Sequence, residues 1–529
     1  MTSRAIVNSA VVLVCLSALV AMGVMQGCTK PNPAPLGTGK GGAGQGENGG
    51  ETKSVAAPPP RPVCDGWDKP ALALILSGEQ HGYIEPCGCS ATQSGGLSRR
   101  ADLFRQLDEK SWPVVGLDLG GSLKTARAQS IIKFETILAA LKDLKYQAMA
   151  IGPEEIRIGP DNLIRLNVPE EVPFVSSNVV FYNEPELGTP VASRMFELGG
   201  KKVGVTAVLG TSYKDELLSK EAQEAEAADQ PLKIFDPALP LRAAIDALKA
   251  EKPDLLVLLS HAKADATVEL AKKFPEFDLV QCTGPEEPDD KPIQAGKPLI
   301  VTVGGKGKHV GVVGFYPDAK EKLKFELVDL DNVRFKNTPK MDEHMRTYQE
   351  RLKEADLVET ERPIAHPSGA DFVGAAKCGE CHTKAYNKWK TSNHANAYES
   401  LIVGRKGQEK TWIPRQYDPE CLACHVTGWN PREVLRYQTG FESKEKTPHL
   451  MGQQCENCHG PGSQHVEQEE IWKKKRGAPS DEVLKWRKNL HLDLAVARDR
   501  TCNQCHDPDN SPKFDFDEYW KKVVHPWRD

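Results

Sequence analysis

The chain lacks a dominant charge of one sign. Its 68 Lys and Arg against 73 Asp and Glu leave −5 across 529 residues, which gives no reason to expect a nucleic-acid partner. It also lacks an apolar run suited to crossing a bilayer, because the stretch from Ile6 to Val24 is too short and too poorly flanked for a confident span. The last third is nearly devoid of methionine. From 370 to 529 only Met451 occurs, so thioether sulfur can ligate at most one metal there. What remains is ordinary for a soluble globular protein, with 39% hydrophobic and 27% charged residues. The length is too great for a single core and allows two or three domains.

The N-terminus reads as a targeting segment. Arg4 supplies a positive start, the apolar stretch follows, and Met25-Gln-Gly-Cys28 resembles a bacterial lipobox. The expectation is a signal peptide over 1–27 and lipid on Cys28. The chain would then be exported, on the periplasmic side, and tied to the membrane by an N-terminal lipid anchor. An ordinary signal peptide or an uncleaved anchor helix is the other reading. Residues 28–66 are rich in Gly, Pro, Ala and Ser and read as a tether without a core.

Four pentapeptides of the form Cys-x-x-Cys-His dominate the last third: Cys378-Gly-Glu-Cys381-His382, Cys421-Leu-Ala-Cys424-His425, Cys455-Glu-Asn-Cys458-His459 and Cys502-Asn-Gln-Cys505-His506. This is the attachment signature of c-type haem: two thiols bind the vinyl groups and the histidine ligates iron. Zinc ribbons also use Cys-x-x-Cys pairs, but zinc does not require a histidine directly after each pair. The expectation is four covalently attached haems c, with His382, His425, His459 and His506 as proximal ligands. Eight of the fourteen cysteines belong to these motifs.

Residues 67–335 alternate strand-like and helix-like runs, from Ala71-Leu-Ala-Leu-Ile-Leu76 to Val310-Gly-Val-Val-Gly-Phe315, and predict an α/β domain. Ser77-Gly-Glu79-Gln-His81-Gly82, Gly95-Gly-Leu-Ser-Arg99, Asp118-Leu-Gly-Gly121-Ser122, Gly152-Pro153-Glu154-Glu155, Leu259-Ser-His261 and Thr283-Gly284-Pro-Glu286 follow one another in an order similar to the metallophosphatase domain of 5′-nucleotidases and thiosulfohydrolases. That resemblance implies a sandwich of sheets flanked by helices. It also implies a two-metal site, but Gly121, Pro153, Glu154, Gly284 and Glu286 stand where the family has ligands or the catalytic histidine. Glu79, His81 and His261 are left as a possible residual site for one metal ion. Cys87, Cys89 and Cys282 lie near the old pocket as redox or metal-binding thiols, or else form structural disulfides with Cys64.

Residues 336–369 read as a linker containing a helix, and 370–529 as a mostly α, loop-rich multihaem cytochrome c domain. Phe372-Val-Gly-Ala-Ala-Lys-Cys378, Trp389-Lys-Thr-Ser-Asn-His394, Cys424-His-Val-Thr-Gly-Trp429 and Cys455-Glu-Asn-Cys-His-Gly-Pro-Gly-Ser-Gln-His465 resemble the tetrahaem cytochromes c of ammonia-oxidising bacteria. The resemblance implies electron transfer to and from redox partner proteins. It also implies His394, His465 and His491 as distal iron ligands, and a second haem open on one side. His449 is a weaker candidate to close or line that haem. A redox enzyme acting on a small inorganic nitrogen or sulfur compound and a metal-dependent phosphoesterase are the alternative functions.

Overall fold

The computed structural model describes residues 61–86, 93–167, 172–184, 187, 189–218, 231–404, 407, 409–526. The signal segment, most of the tether, Cys28, Cys87 and Cys89 lie outside the described residues. Among the described residues no helix is long and apolar enough to cross a membrane.

The apolar runs of the front half become strands because they can be covered on both faces. Leu72–Ser77 and Val114–Asp118 bury every residue, and Tyr146–Ala150 all but one. These three lie parallel and adjacent in a six-stranded sheet. Its order is Leu323–Asp329, His309–Phe315, Leu72–Ser77, Val114–Asp118, Tyr146–Ala150, Phe174–Val175. The first two strands run antiparallel to their neighbours. A second sheet has the order Leu299–Val301, Leu279–Cys282, Leu255–His261, Lys201–Leu209, Ser193–Leu198, parallel except at the last strand. Alternation along Leu72–Ser77 assigns its two faces. Leu72, Leu74 and Leu76 pack against Val203, Val205, Val257 and Leu259 of the second sheet. Ala73 and Ile75 turn outward to the helices Leu97–Glu109 and Ala128–Asp143. The result is the expected sandwich of two sheets flanked by helices, with a helical, loop-rich region after it. The C-terminal ends of the parallel strands from both sheets meet at one edge, where Gln281 Nε2 donates to the Ser77 carbonyl at 2.9 Å.

Two boundaries differ from those read in the sequence. Val63 and Cys64 are buried in the front core, so the tether ends before residue 66. The helix Pro339–Ala355, expected in a linker, is a core element. Met341, Met345, Tyr348 and Leu352 recur at helical spacing and close over Phe134, Ile137, Leu138 and Leu141 of Ala128–Asp143.

The region after 370 is built of short helices and loops. Its largest apolar cluster contains Phe372, Tyr398, Leu401, Leu422, Phe441, Leu450 and a few neighbours, a small core for its length. Pro60–Asp529 nonetheless forms one unit. Ile413 of the haem region is buried in the front-domain cluster. Asp418, almost wholly buried, accepts from Gln129 Nε2 at 2.8 Å and from Gln349 Nε2 at 3.0 Å.

Candidate functional site

Each Cys-x-x-Cys-His motif lies on or against a short helical turn: Ala375–Gly379, Pro419–His425, Cys455–His459 and Cys502–Gln504. A helical turn brings residues three apart to the same face, the arrangement that two thiols would need to hold one flat group. Asp418 caps the second of these helices by accepting the Glu420 N–H. The motifs are also neighbours. The Cys378 thiol lies beside that of Cys455, and the Cys424 thiol beside that of Cys505. Cys458 and Cys502 are close enough to interact electrostatically.

Three motif histidines have their Nδ1 engaged. His425 Nδ1 donates to the Ala397 carbonyl at 2.7 Å, and His459 Nδ1 to the Leu490 carbonyl at 2.7 Å. His506 Nδ1 meets Ser511 Oγ at 2.9 Å. Such bonds fix the ring and leave Nε2 for a metal. Three motif histidines also face another imidazole. Ring centroids are 6.3 Å apart for His382 and His465, 6.0 Å for His394 and His506, and 5.9 Å for His459 and His525. Two imidazoles sharing one metal, with metal–nitrogen bonds of about 2 Å, hold their centroids about 6 Å apart. His465 Nδ1 is buried with no hydrogen-bond partner, as befits a nitrogen reserved for a metal. The donor set therefore fits haem iron.

His394 and His465 thus stand opposite motif histidines. His491 also neighbours His459, but its Nε2 is 3.1 Å from Asp493 Oδ1 and its side chain is 36% exposed. The ring facing His459 is His525, which sequence spacing alone did not single out because the C-terminal segment folds back to reach it. His449 is exposed, and its ring lies over Gly374, just before the first motif.

In the front domain, Glu79 and His81 sit on a turn with φ of 47° and 49°, held by Glu79 N–H to the Gly120 carbonyl and His81 N–H to the Gly121 carbonyl. His261 ends its strand, donates through Nδ1 to the Leu119 carbonyl at 2.9 Å, and has Tyr213 edge-on to its ring. Burial pushes its pKa down to about 4, so the ring is neutral. Glu79 Oε2 accepts from the Gly284 N–H at 3.2 Å, and burial pushes its carboxyl up to about 7. Glu155, not singled out as a site residue, accepts three backbone N–H bonds from Gly121, Ser122 and Gly152. Burial still pushes it up to about 7.

Among the described residues, no group of three His, Cys, Asp or Glu side chains comes together to hold a metal. Glu79, His81 and His261 are neighbours that do not form such a group. A Cβ at Gly121 would stand 3.3 Å from the His261 ring, and one at Gly152 only 2.7 Å from it. The ring occupies space that larger residues would need. Glu286 is engaged by Lys306 and Lys308, each at 2.9 Å.

Cys282 is buried among Phe274, Phe277 and Val280, and burial with nearby Glu79 pushes its thiol up to about 12. Cys64 belongs to a different cluster, and both are free thiols. Cys64 and Cys282 are therefore not bonded to each other, and burial keeps the Cys282 thiol protonated.

The front pocket borders the haem region. Tyr83 Oη donates to Asp509 Oδ2 at 3.0 Å, and Lys306 Nζ meets the same oxygen at 2.6 Å. Asp509 follows His506 by three residues. A cavity of about 560 Å³ opens along this seam, lined by Glu286, Lys306, Lys308, His309 and Asp509 among others.

The family model for cytochrome c554 and c-prime matches residues 377–460. Cytochrome c-554 of Nitrosomonas europaea is 29% identical over 148 residues, covering 26% of this chain and 58% of that protein. Human 5′-nucleotidase is 23% identical over 299 residues, covering 51% of this chain and 49% of its own length. The chain thus spans about half the length of these two relatives. Among solved structures, a 5′-nucleotidase precursor from Thermus thermophilus aligns at 21% identity and TM-score 0.43, covering 56% of this chain and 60% of that one. The chain carries a cytochrome c554-like haem domain behind a 5′-nucleotidase-like α/β domain.

Proposed function

We propose that the chain is an exported, lipid-anchored electron carrier with four covalently bound haems c, fused to a front domain that does not hydrolyse phosphate esters. The observation that carries this is the set of three imidazole pairs at the spacing of a shared iron. Haem, when bound, supplies the one-electron chemistry. The chain's own residues attach it, orient its ligands and bring the attachment points together. Neighbouring thiols of the first and third motifs, the third and fourth, and the fourth and second lay out an electron route in that order. Paired histidines favour lower potentials than a His/Met pair. Redox proteins are the natural partners, and the lipid on Cys28 would hold the carrier at the membrane.

A pyridine haemochrome assay should give four c-type haems per chain, and fewer would overturn the proposal. Loading with Mn²⁺ or Zn²⁺ should give no phosphoesterase turnover. Two tightly bound metals with turnover would show that the front domain is a hydrolase. Replacing Cys28 with serine should release the protein from the membrane fraction.

A further inference from the structure

The helix carrying the second motif does not stand on haem-domain residues alone. Lys133, on the front-domain helix Ala128–Asp143, is almost completely buried, and its Nζ lies 2.7 Å from both carboxylate oxygens of Glu420. Glu420 immediately precedes Cys421. Gln129, one turn earlier on the same helix, and Gln349 on Pro339–Ala355 both donate to Asp418, the residue that caps the motif helix. A second ion pair crosses the seam in the opposite sense, from Arg415 to Glu85 of the front domain. Gln129, Lys133 and Gln349 belong to helices that the front domain needs for its own core.

We propose that Lys133 is a positioning residue for the haem on Cys421–His425, fixing the motif helix against the front domain and setting that haem's reduction potential. This rests on the reading that the second motif carries haem. The physical argument is charge balance. Ferric haem carries one more positive charge than ferrous haem, so a nearby anion favours the oxidised form and a cation the reduced form. Glu420 and Asp418 are anions beside the attachment site, and Lys133 is the buried front-domain cation set against them. Burial keeps its field from being screened by salt.

The test uses the full-length, haem-loaded chain in a spectroelectrochemical titration. Haem counting comes first: C421A/C424A should hold one haem fewer than the wild type, and an equal count would show that the second motif carries none and would overturn both that reading and the proposal. The second haem is identified as the component missing from C421A/C424A. K133M should move that component's midpoint to more negative potential and leave the other three in place. E420Q should move it the opposite way. K133M/E420Q should return toward the wild type, because the two charges act on each other. K133R, which keeps the cation, should restore most of the wild-type midpoint. The E420Q arm stands if K133M does not fold. An unmoved second haem in E420Q, an equal shift of all four haems, or no rescue by K133R would overturn the proposal.

Discussion

His525 faces His459 with ring centroids 5.9 Å apart, whereas His491 turns to Asp493. Replacing His525 with alanine should therefore convert one haem to high-spin iron in the resting optical and EPR spectra, while H491A leaves the spin state unchanged. The opposite result would return the ligand role to His491. Glu79 gives a second expectation. Its carboxyl holds a proton in the folded state up to pH about 7, against 4.5 for an ordinary glutamate. Between those values the folded state binds more protons than the unfolded chain, so stability falls as pH rises from 4.5 to about 7. Denaturation midpoints across this window should fall less steeply in E79Q. Covalent attachment was legible in the sequence because it needs five consecutive residues. His394 and His465 came from resemblance, and His525 was missed because its partner is 66 positions away and meets it only in the tertiary fold.

At the scale of elements, Phe134 is fully buried and stacks on Phe174 at 5.9 Å. F134A removes a ring that the helix Ala128–Asp143 uses to seat itself on the sheet. The expected loss is about 3–5 kcal/mol, read as a lower melting temperature, and an effect below about 1 kcal/mol would contradict this packing. The strands of the first sheet were visible as apolar runs because strands covered on both faces carry no polar alternation. The helix Pro339–Ala355 was visible as amphipathic, but a sequence does not say which surface covers an apolar stripe. Its partner is a helix some 200 residues earlier, which is why it read as part of a linker. The change of residue type at Gly121 and Pro153 was legible directly: glycine and proline donate no side-chain ligand. That His261 would lean into the space at Gly121 and Gly152 was not.

For the whole molecule, the seam behaves as an interior. Residues 336–369 include a core helix, Ile413 crosses into the front cluster, and Lys133 and Asp418 are buried between the parts. Limited proteolysis of the haem-loaded protein should not cut first within 336–369. Early release of separate front and haem fragments would show that the seam is loose. The docking of Pro419–His425 on Ala128–Asp143 also ties the fates of the two parts together. If the motif helix leaves its seat, Lys133 and Gln129 lose their carboxylate partners at a buried surface, and leaving such groups unpaired is costly. Loosening of either part therefore weakens the other.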